Sequence, residues 1–262
     1  MRKRGWLAAV CTAIVFLSAC TFANERDAEE GESQALTIAA ASDLQFAFKE
    51  MEKHFEEQTG RNVEITFSST GTLAQQIDNG APYDVFAAAN VSFIEELEQK
   101  GKLVPDTQVM YSEGELSVVS SKGSSVSLTS IEDLANSEVK KIAIANPEHA
   151  PYGMAAKQAL ERAGLWEKVK DKLIYGKSVA DTLALVATGN AEAGIVSRSI
   201  VTEEVQGVPV DPQLHEPIRQ AMAIVEGTKQ EELAQSFVEY VTGEEGQRLL
   251  QSYGFHVPGS SQ

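Results

Sequence analysis

Two short stretches combine small side chains with hydroxyl groups at points where a strand pattern gives way to a helix pattern. The first, AAASDL, ends a buried run at Ser42, and the second, TFSSTGTLAQQI, contains Ser68, Ser69 and Thr70. Amide groups in the first turn of a helix lack internal partners and carry partial positive charge. Hydroxyl donors beside such amides would bind an anion, although Ser and Thr also cap helices whatever the function.

The second half of the chain offers two matching junctions, NPEHAPYGMAAKQAL and GKSVADTLALVATGN. Pro151 fixes the backbone at the start of a predicted helix, which leaves the amides of Tyr152 and Gly153 free. Val179 stands at another predicted helix start, where its amide is a candidate donor although its side chain is inert. A cleft that receives helix N-termini from two sides could hold a dianion without any Lys or Arg.

Short apolar strands alternate with amphipathic helices, which predicts an α/β fold with mostly parallel sheets flanked by helices. We predict strands at 36–40, 63–67, 84–88, 115–120, 141–145, 173–175, 193–196 and 218–225. We predict one helix beginning near residue 44 and others at 73–78, 92–100, 153–163, 180–188, 231–241 and 244–253. The alternation of strands and helices begins again near residue 115, and the strand at 218–225 is predicted to belong with the first group. This pattern indicates two lobes, the second inserted into the first. Ligands in open α/β sheets bind beyond the carboxyl ends of strands, where the hydroxyl junctions gather.

The first twenty residues have the pattern of a secretory signal. Basic residues at positions 2–4 precede an apolar run over 6–17, and small residues surround Cys20. This run is too short to span a membrane as a stable helix. The string LSAC resembles the bacterial lipobox, which implies cleavage before Cys20 and attachment of lipid to it. The alternative is an ordinary signal peptide with a coincidental cysteine.

These patterns divide the chain into five segments. A lipoprotein signal peptide spans 1–19, an acidic tether spans 20–34, lobe 1 begins over 35–114, lobe 2 spans 115–217, and residues 218–262 return to lobe 1. The roughly 230 residues beyond the tether can bury a good core as one large or two modest domains. Cys11 leaves with the signal, so neither a disulfide nor a cysteine metal site stabilises the mature chain.

The formal net charge of −16, from 22 basic and 38 acidic residues, argues against nucleic acid and anionic membrane surfaces as partners. The four histidines are scattered without metal-ligand spacing, so we predict no metal site. The sequence has no GxSxG, GxGxxG or GxxxxGK[ST] motif, and Ser42 lacks a recognisable base. We therefore predict a binding protein that is not an enzyme, has no catalytic residues and needs no cofactor. A hydrolase using Ser42 or Ser69 is the rival from another class.

Several motifs occur in order from about residue 36 to residue 257: IAAASDL, GTLAQQIDNGAPYDVFAAAN, ANPEHAPYGMAAKQALERAGLW, ATGNAEAGIV, AIVEG and YGF. This set resembles the periplasmic molybdate-binding proteins of ATP-driven transporters. The resemblance implies a two-lobed type II periplasmic-binding-protein fold that closes on a tetrahedral oxyanion, molybdate or tungstate. It also implies a monomer that delivers the ion to a membrane permease from the outer face of the cell membrane. The alternatives are a receptor for sulfate, phosphate or another oxyanion, and a sensory lobe that reports ligand occupancy to a signalling partner.

The resemblance also implies oxyanion ligands, position by position. They are the hydroxyl of Ser42, the hydroxyl of Thr70 with Ser69 as the neighbouring candidate, the amide near Tyr152 and the amide of Val179. Where the family has a tyrosine in GIVY this sequence has GIVSR, so Ser197 stands in place of the phenol. Either Ser197 binds the oxyanion through a changed local geometry, or water or another residue fills the gap.

Three charged residues lie in or next to these motifs. We expect Arg198 to face solvent, although an inward guanidinium would favour protonatable anions. We expect Asp43 to interact with the helix dipole and point away from the cleft, because its carboxylate would repel a dianion. Asp84 in APYDVF is predicted to brace its lobe by bonding loop amides.

Overall fold

The computed structural model describes residues 34–257. The predicted signal peptide, Cys20 and the tether up to residue 33 lie outside the described residues. Within 34–257, no helix is both long and apolar enough to cross a membrane.

The first sheet is built from strands of both ends of the described chain. Its strands are β1 (Leu36–Ala41), β2 (Val63–Ser68), β3 (Val85–Ala88), β4 (Val109–Gly114) and β10 (Ile218–Ile224), in the spatial order β2-β1-β3-β10-β4. β1 pairs in parallel with β2 and β3, whereas β10 is antiparallel to β3 and β4. Four of the five strands therefore run in one direction and β10 alone is reversed.

The second sheet repeats this arrangement with the middle of the chain. Its strands are β5 (Leu116–Ser121), β6 (Ile142–Ala145), β7 (Leu173–Gly176), β8 (Ala193–Ser197) and β9 (Val205–Pro209), in the order β7-β6-β8-β5-β9. β6 is parallel to β7 and β8, whereas β5 is antiparallel to β8 and β9. The reversed strand here is β5, which carries the chain out of the first sheet, as β10 carries it back.

Eight α-helices flank the two sheets in the described region. They are α1 (Gln45–Thr59), α2 (Thr70–Asp78), α3 (Val91–Gln99), α4 (Pro151–Arg162), α5 (Trp166–Val169), α6 (Val179–Ala187), α7 (Glu231–Thr242) and α8 (Glu244–Ser252). We call the first sheet with α1–α3, α7 and α8 lobe 1, and the second sheet with α4–α6 lobe 2. The predicted α/β class, with mostly parallel sheets flanked by helices, is confirmed.

Two strands were missed by the sequence prediction, and both lie at sheet edges. β4 has the sequence VMYSEG with a mixed burial pattern, and β9 has the sequence VQGVP with only its first residue buried. Neither contains the continuous apolar run that marks a strand covered on both faces, such as IAIA in β6. An edge strand needs fewer apolar residues, so its sequence pattern is weaker.

An aromatic cluster joins the first and last helical parts of lobe 1. The rings of Phe48 and Phe55 on α1 each meet Phe237 of α7 edge to face, with centroids 5.8 and 5.3 Å apart. All three side chains are buried, which contributes roughly 1.5–3 kcal/mol for each residue. The C-terminal helices are therefore part of the core that supports β1.

Asp84 ties the start of β3 to two other segments of lobe 1. Its carboxylate accepts hydrogen bonds from the Thr37 amide at 2.7 Å, the Thr228 hydroxyl at 2.5 Å and the Gln230 side-chain amide at 3.3 Å. The predicted bracing role is confirmed, although only one donor is a backbone amide and the other three, which include the Thr37 hydroxyl at 2.9 Å, are side chains. These bonds connect β1 to the segment that leads into α7.

We expect Asp84→Ala to lower the free energy of unfolding by roughly 2–4 kcal/mol, because several partly buried donors lose a charged acceptor. Urea unfolding followed by circular dichroism measures the change. Glu95→Ala on the exposed face of α3 is the matched control and should stay within about 0.5 kcal/mol of the wild type. Equal unfolding midpoints for the two variants would contradict the bracing role.

Candidate functional site

Five chain segments meet beyond the carboxyl ends of β1, β2, β3, β6 and β7. Together they line a cavity between the lobes that encloses no more than about 180 Å³. The cavity is therefore too small for drug-sized organic ligands, whose sites typically enclose roughly 300–1,000 Å³. The lining residues with hydroxyl, carboxyl or helix N-terminal groups are Ser42, Asp43, Ser68, Ser69, Thr70, Tyr152 and Val179.

Lobe 1 contributes Ser42 from a short 3-10 helix, Ser42–Leu44, that follows β1 directly. The Ser42 hydroxyl oxygen accepts a hydrogen bond from the Ala180 amide of lobe 2 at 3.4 Å. Because a hydroxyl both accepts and donates, the proton of Ser42 remains able to reach a second acceptor. Ser42 is thus a donor at the point where the two lobes touch.

The second hydroxyl loop places two neighbouring side chains in different roles. Ser69 caps α2 by accepting from the Thr72 amide at 3.4 Å, and its hydroxyl oxygen lies 2.7 Å from that of Thr72. The hydroxyl oxygen of Thr70 accepts from the Ala89 amide at 3.1 Å. Ser69 therefore serves its own helix, whereas Thr70 is fixed in place and keeps its hydroxyl proton available.

Lobe 2 contributes two helix N-termini to the cavity. Pro151 is the first residue of α4, so the Tyr152 amide next to it has no acceptor within the helix. Ser178 caps α6 by accepting from the Asp181 amide at 3.2 Å. Within residues 34–257 the amide of Val179 has no hydrogen-bond acceptor. Each helix therefore presents a donor amide at its positive end.

Ser197 lies behind the cavity and does not line it. Its side chain is fully buried, and its hydroxyl oxygen lies 2.7 Å from that of Ser199. The Ser199 hydroxyl donates to the backbone carbonyl of Asp43 at 2.8 Å. The structure thus brings Ser42, Ser69, Thr70, Tyr152 and Val179 to one cavity, and places Ser197 in a hydroxyl chain that supports the first loop.

The lobes are closed against each other beside the cavity. The Gly71 amide of α2 donates to the His149 carbonyl oxygen of lobe 2 at 2.8 Å. A Cβ atom on Gly71 would lie 2.7 Å from that same oxygen, which is closer than real contacts allow. Glycine is therefore required at this position for the two backbones to approach.

The expectation that Asp43 points away from the cleft is wrong. The residue is 1% exposed and lines the cavity, and its Oδ2 accepts from the Tyr152 hydroxyl at 3.0 Å and from Gln220 Nε2 at 2.6 Å. Burial raises the pKa of the Asp43 carboxyl to about 6, although the hydrogen bonds from Gln220 and Tyr152 oppose the shift. These two bonds join the first loop to lobe 2 and to β10.

The polar cluster around Asp43 was missed by the sequence analysis, which considered Tyr152 only for its amide. Gln220 Nε2 also donates to the Tyr152 hydroxyl at 2.9 Å, and its Oε1 accepts from the Ser112 hydroxyl at 3.1 Å. Burial raises the pKa of Tyr152 well above its ordinary value, so the phenol stays a donor. The one available sign was a glutamine in strand β10, IRQAMAI, whose only other polar residue is the exposed Arg219.

No positively charged side chain lines the cavity. Arg198 is exposed, as expected, and its guanidinium pairs with the Glu115 carboxylate at 2.6 Å. The cavity lining contains neither Lys nor His. Among the described residues no group of three or more His, Cys, Asp or Glu side chains is close enough to hold a metal ion. An anion in this cavity would be bound by neutral donors alone.

Comparison with known proteins shows the following matches. The family model for bacterial extracellular solute-binding proteins matches residues 36–256. YvgL of Bacillus subtilis, provisionally an ABC transporter substrate-binding lipoprotein, is 32% identical over 258 residues, covering 97% of this chain and 98% of that protein. The molybdate-binding protein ModA of Azotobacter vinelandii is 36% identical over 229 residues, covering 86% and 90%. A solved structure of a periplasmic molybdate-binding protein from Azotobacter vinelandii superposes with a TM-score of 0.80 at 29% identity, covering 85% and 99%.

We expect Tyr152→Phe to lower the free energy of unfolding by roughly 1–3 kcal/mol, because the buried Asp43 carboxylate loses one of its two donors. Chemical unfolding at neutral pH measures the loss. The matched control is Tyr175→Phe, since Tyr175 is 52% exposed and should tolerate removal of its hydroxyl. An unchanged stability of Tyr152→Phe would show that the bond to Asp43 has no net effect on folding.

Proposed function

Because the chain belongs to the family of bacterial extracellular solute-binding proteins, we propose that it captures molybdate between its lobes and delivers it to the permease of an ATP-driven importer. One observation carries this proposal. A small cavity is lined by hydroxyl groups and helix N-terminal amides from both lobes, and by no cationic side chain. Such a cavity suits a compact dianion whose oxygens only accept hydrogen bonds.

Four donors reach the oxyanion in this proposal. They are the hydroxyls of Ser42 and Thr70 from lobe 1 and the amides of Tyr152 and Val179 from lobe 2, while Ser69 caps α2. Each hydrogen bond to a charged oxygen contributes roughly 1.5–3 kcal/mol before the costs of association. Donors from both lobes make the bound ion a bridge, so binding favours the closed form.

Size provides the selectivity among tetrahedral dianions, because charge and shape are shared. Amides held by helix ends cannot follow a smaller ion such as sulfate, whereas tungstate is nearly the size of molybdate and binds as well. A receptor for sulfate or phosphate would be favoured by an inward Arg198, and that guanidinium pairs with Glu115 instead. A hydrolase is disfavoured because no His or Lys lines the cavity beside Ser42 or Ser69.

The protein acts outside the cytoplasm, as its family does. We further propose that it is a monomer held at the outer face of the cell membrane by lipid on Cys20. The LSAC string and the relationship to the lipoprotein YvgL over nearly the whole chain support this anchor. Two or more acyl chains, at about 0.8 kcal/mol per buried methylene, are enough for stable attachment.

Calorimetric titration of the purified protein tests the proposal. Molybdate and tungstate should both bind far more tightly than sulfate, and equal affinities for all three ions would contradict the size argument. Ser42→Ala should weaken molybdate binding by about 1.5–3 kcal/mol, because one charge-assisted hydrogen bond is lost. Ser92→Ala on the exposed side of α3 is the matched control, and its affinity should equal that of the wild type.

A second variant tests whether closure is needed for binding. Gly71→Ala should weaken molybdate binding by about 1–3 kcal/mol, since the added methyl group pushes His149 of lobe 2 away. Gly123→Ala provides the control, because a Cβ there meets no atom within 4 Å. If both variants bind like the wild type, contact between the lobes at Gly71 is not part of capture.

A further inference from the structure

Asp43 is the one residue with an ionisable carboxyl group in the lining of the cavity, and it stands where a doubly charged guest is proposed to bind. The side chain follows Ser42, a proposed ligand, within the same short helix. A carboxylate beside a dianion costs free energy unless one of the two charges is neutralised. The cavity therefore contains an electrostatic conflict that helix dipoles and hydroxyl groups do not remove.

The contacts of the carboxyl group show which of its two oxygens is free to accept a proton. Oδ2 accepts both available donors, the Tyr152 hydroxyl and Gln220 Nε2, one from each lobe. Oδ1 is buried and has no hydrogen-bond partner among the described residues. A proton on Oδ1 would leave both existing bonds intact and turn the unpartnered oxygen into a donor.

We propose that the carboxyl group of Asp43 takes up one proton from solvent when the lobes close on a doubly charged oxyanion. This inference rests on the proposed function. The proton forms an O–H bond at Oδ1, no group is oxidised or reduced, and the complex gains one positive charge relative to its separated parts. Capture is then linked to pH, although molybdate itself is the unprotonated dianion at micromolar concentration near neutral pH.

The groups packed around Asp43 carry no positive charge that could neutralise its carboxylate beside a dianion. Tyr152 of α4 and Tyr111 of β4 are the titratable groups that face it, and burial raises the pKa of both well above the ordinary range. Gln220 of β10 and Ser199 of lobe 2 are neutral partners. Burial already raises the pKa of Asp43 to about 6, and a nearby dianion raises it further.

The sign of the pH dependence follows from linkage. The complex holds the proton more tightly than the free protein, so affinity is highest at low pH and falls as pH rises above about 6. The slope is at most about tenfold per pH unit for one proton. We expect the wild-type affinity for molybdate to fall at least about tenfold between about pH 6 and about pH 8.

Asp43→Asn provides the test, because it removes the charge and keeps the shape. Its molybdate affinity should change less than about twofold over the same pH range. The side chain of His149 belongs to a residue beside the cleft, so His149→Gln is a control that should keep the wild-type slope. Glu148→Gln, an exposed carboxylate nearby, should keep it too.

A measurement on the unmodified protein covers the case in which Asp43→Asn fails to fold. Calorimetry of molybdate binding at about pH 7 in buffers of different protonation enthalpy counts the protons taken up, and uptake approaching one supports the inference. Molybdate binding with no proton uptake and no pH slope would overturn it while leaving the proposed function standing. If no tetrahedral oxyanion binds at any pH, the proposed function and this inference both fail.

Discussion

The approach of the two lobes over the loop between β1 and α1 is the constraint on which the cavity depends. At this loop the Ala180 amide bonds the Ser42 hydroxyl, the Ser199 hydroxyl bonds the Asp43 carbonyl, and the Tyr152 phenol bonds the Asp43 carboxylate. All three donors come from lobe 2 and all three acceptors from lobe 1. If the lobes separated, each of these donors and acceptors would bond water instead. The cavity therefore has this shape only in the closed form.

The negative charge of an anion in this cavity would be stabilised by fixed helix ends and not by positively charged side chains. The overall charge of −16 repels anions at long range, and screening at physiological salt confines that repulsion to about 8 Å. Inside the cavity the fixed ends of α4 and α6 act at short range in a site from which water is largely excluded. The nearby Arg198 is held outside by Glu115 and adds no positive charge to the site.

The sequence predicted those parts of the structure that depend on local pattern. The covered strands, the helices and the hydroxyl junctions at Ser42 and Thr70 follow from periodicity and capping rules, because neighbouring residues determine them. The edge strands β4 and β9 were missed because their pairing partners, and not their own apolar content, hold them in the sheets. The orientation of Asp43 was predicted wrongly for a similar reason. Its donors, Tyr152 and Gln220, lie 109 and 177 positions away, and nothing in AAASDL indicates them.

The placement of β10 between β3 and β4 has a consequence for how the newly made chain folds. Lobe 1 cannot complete its sheet until residues near 218 have emerged, whereas lobe 2 is continuous from β5 to β9 and has all its strands earlier. Pairings of such long sequence separation form slowly, because the intervening loop must close first. During export the first part of lobe 1, residues 36–114, would therefore stay without its complete sheet until most of the polypeptide had crossed the membrane. An incompletely folded segment can pass through a narrow membrane channel.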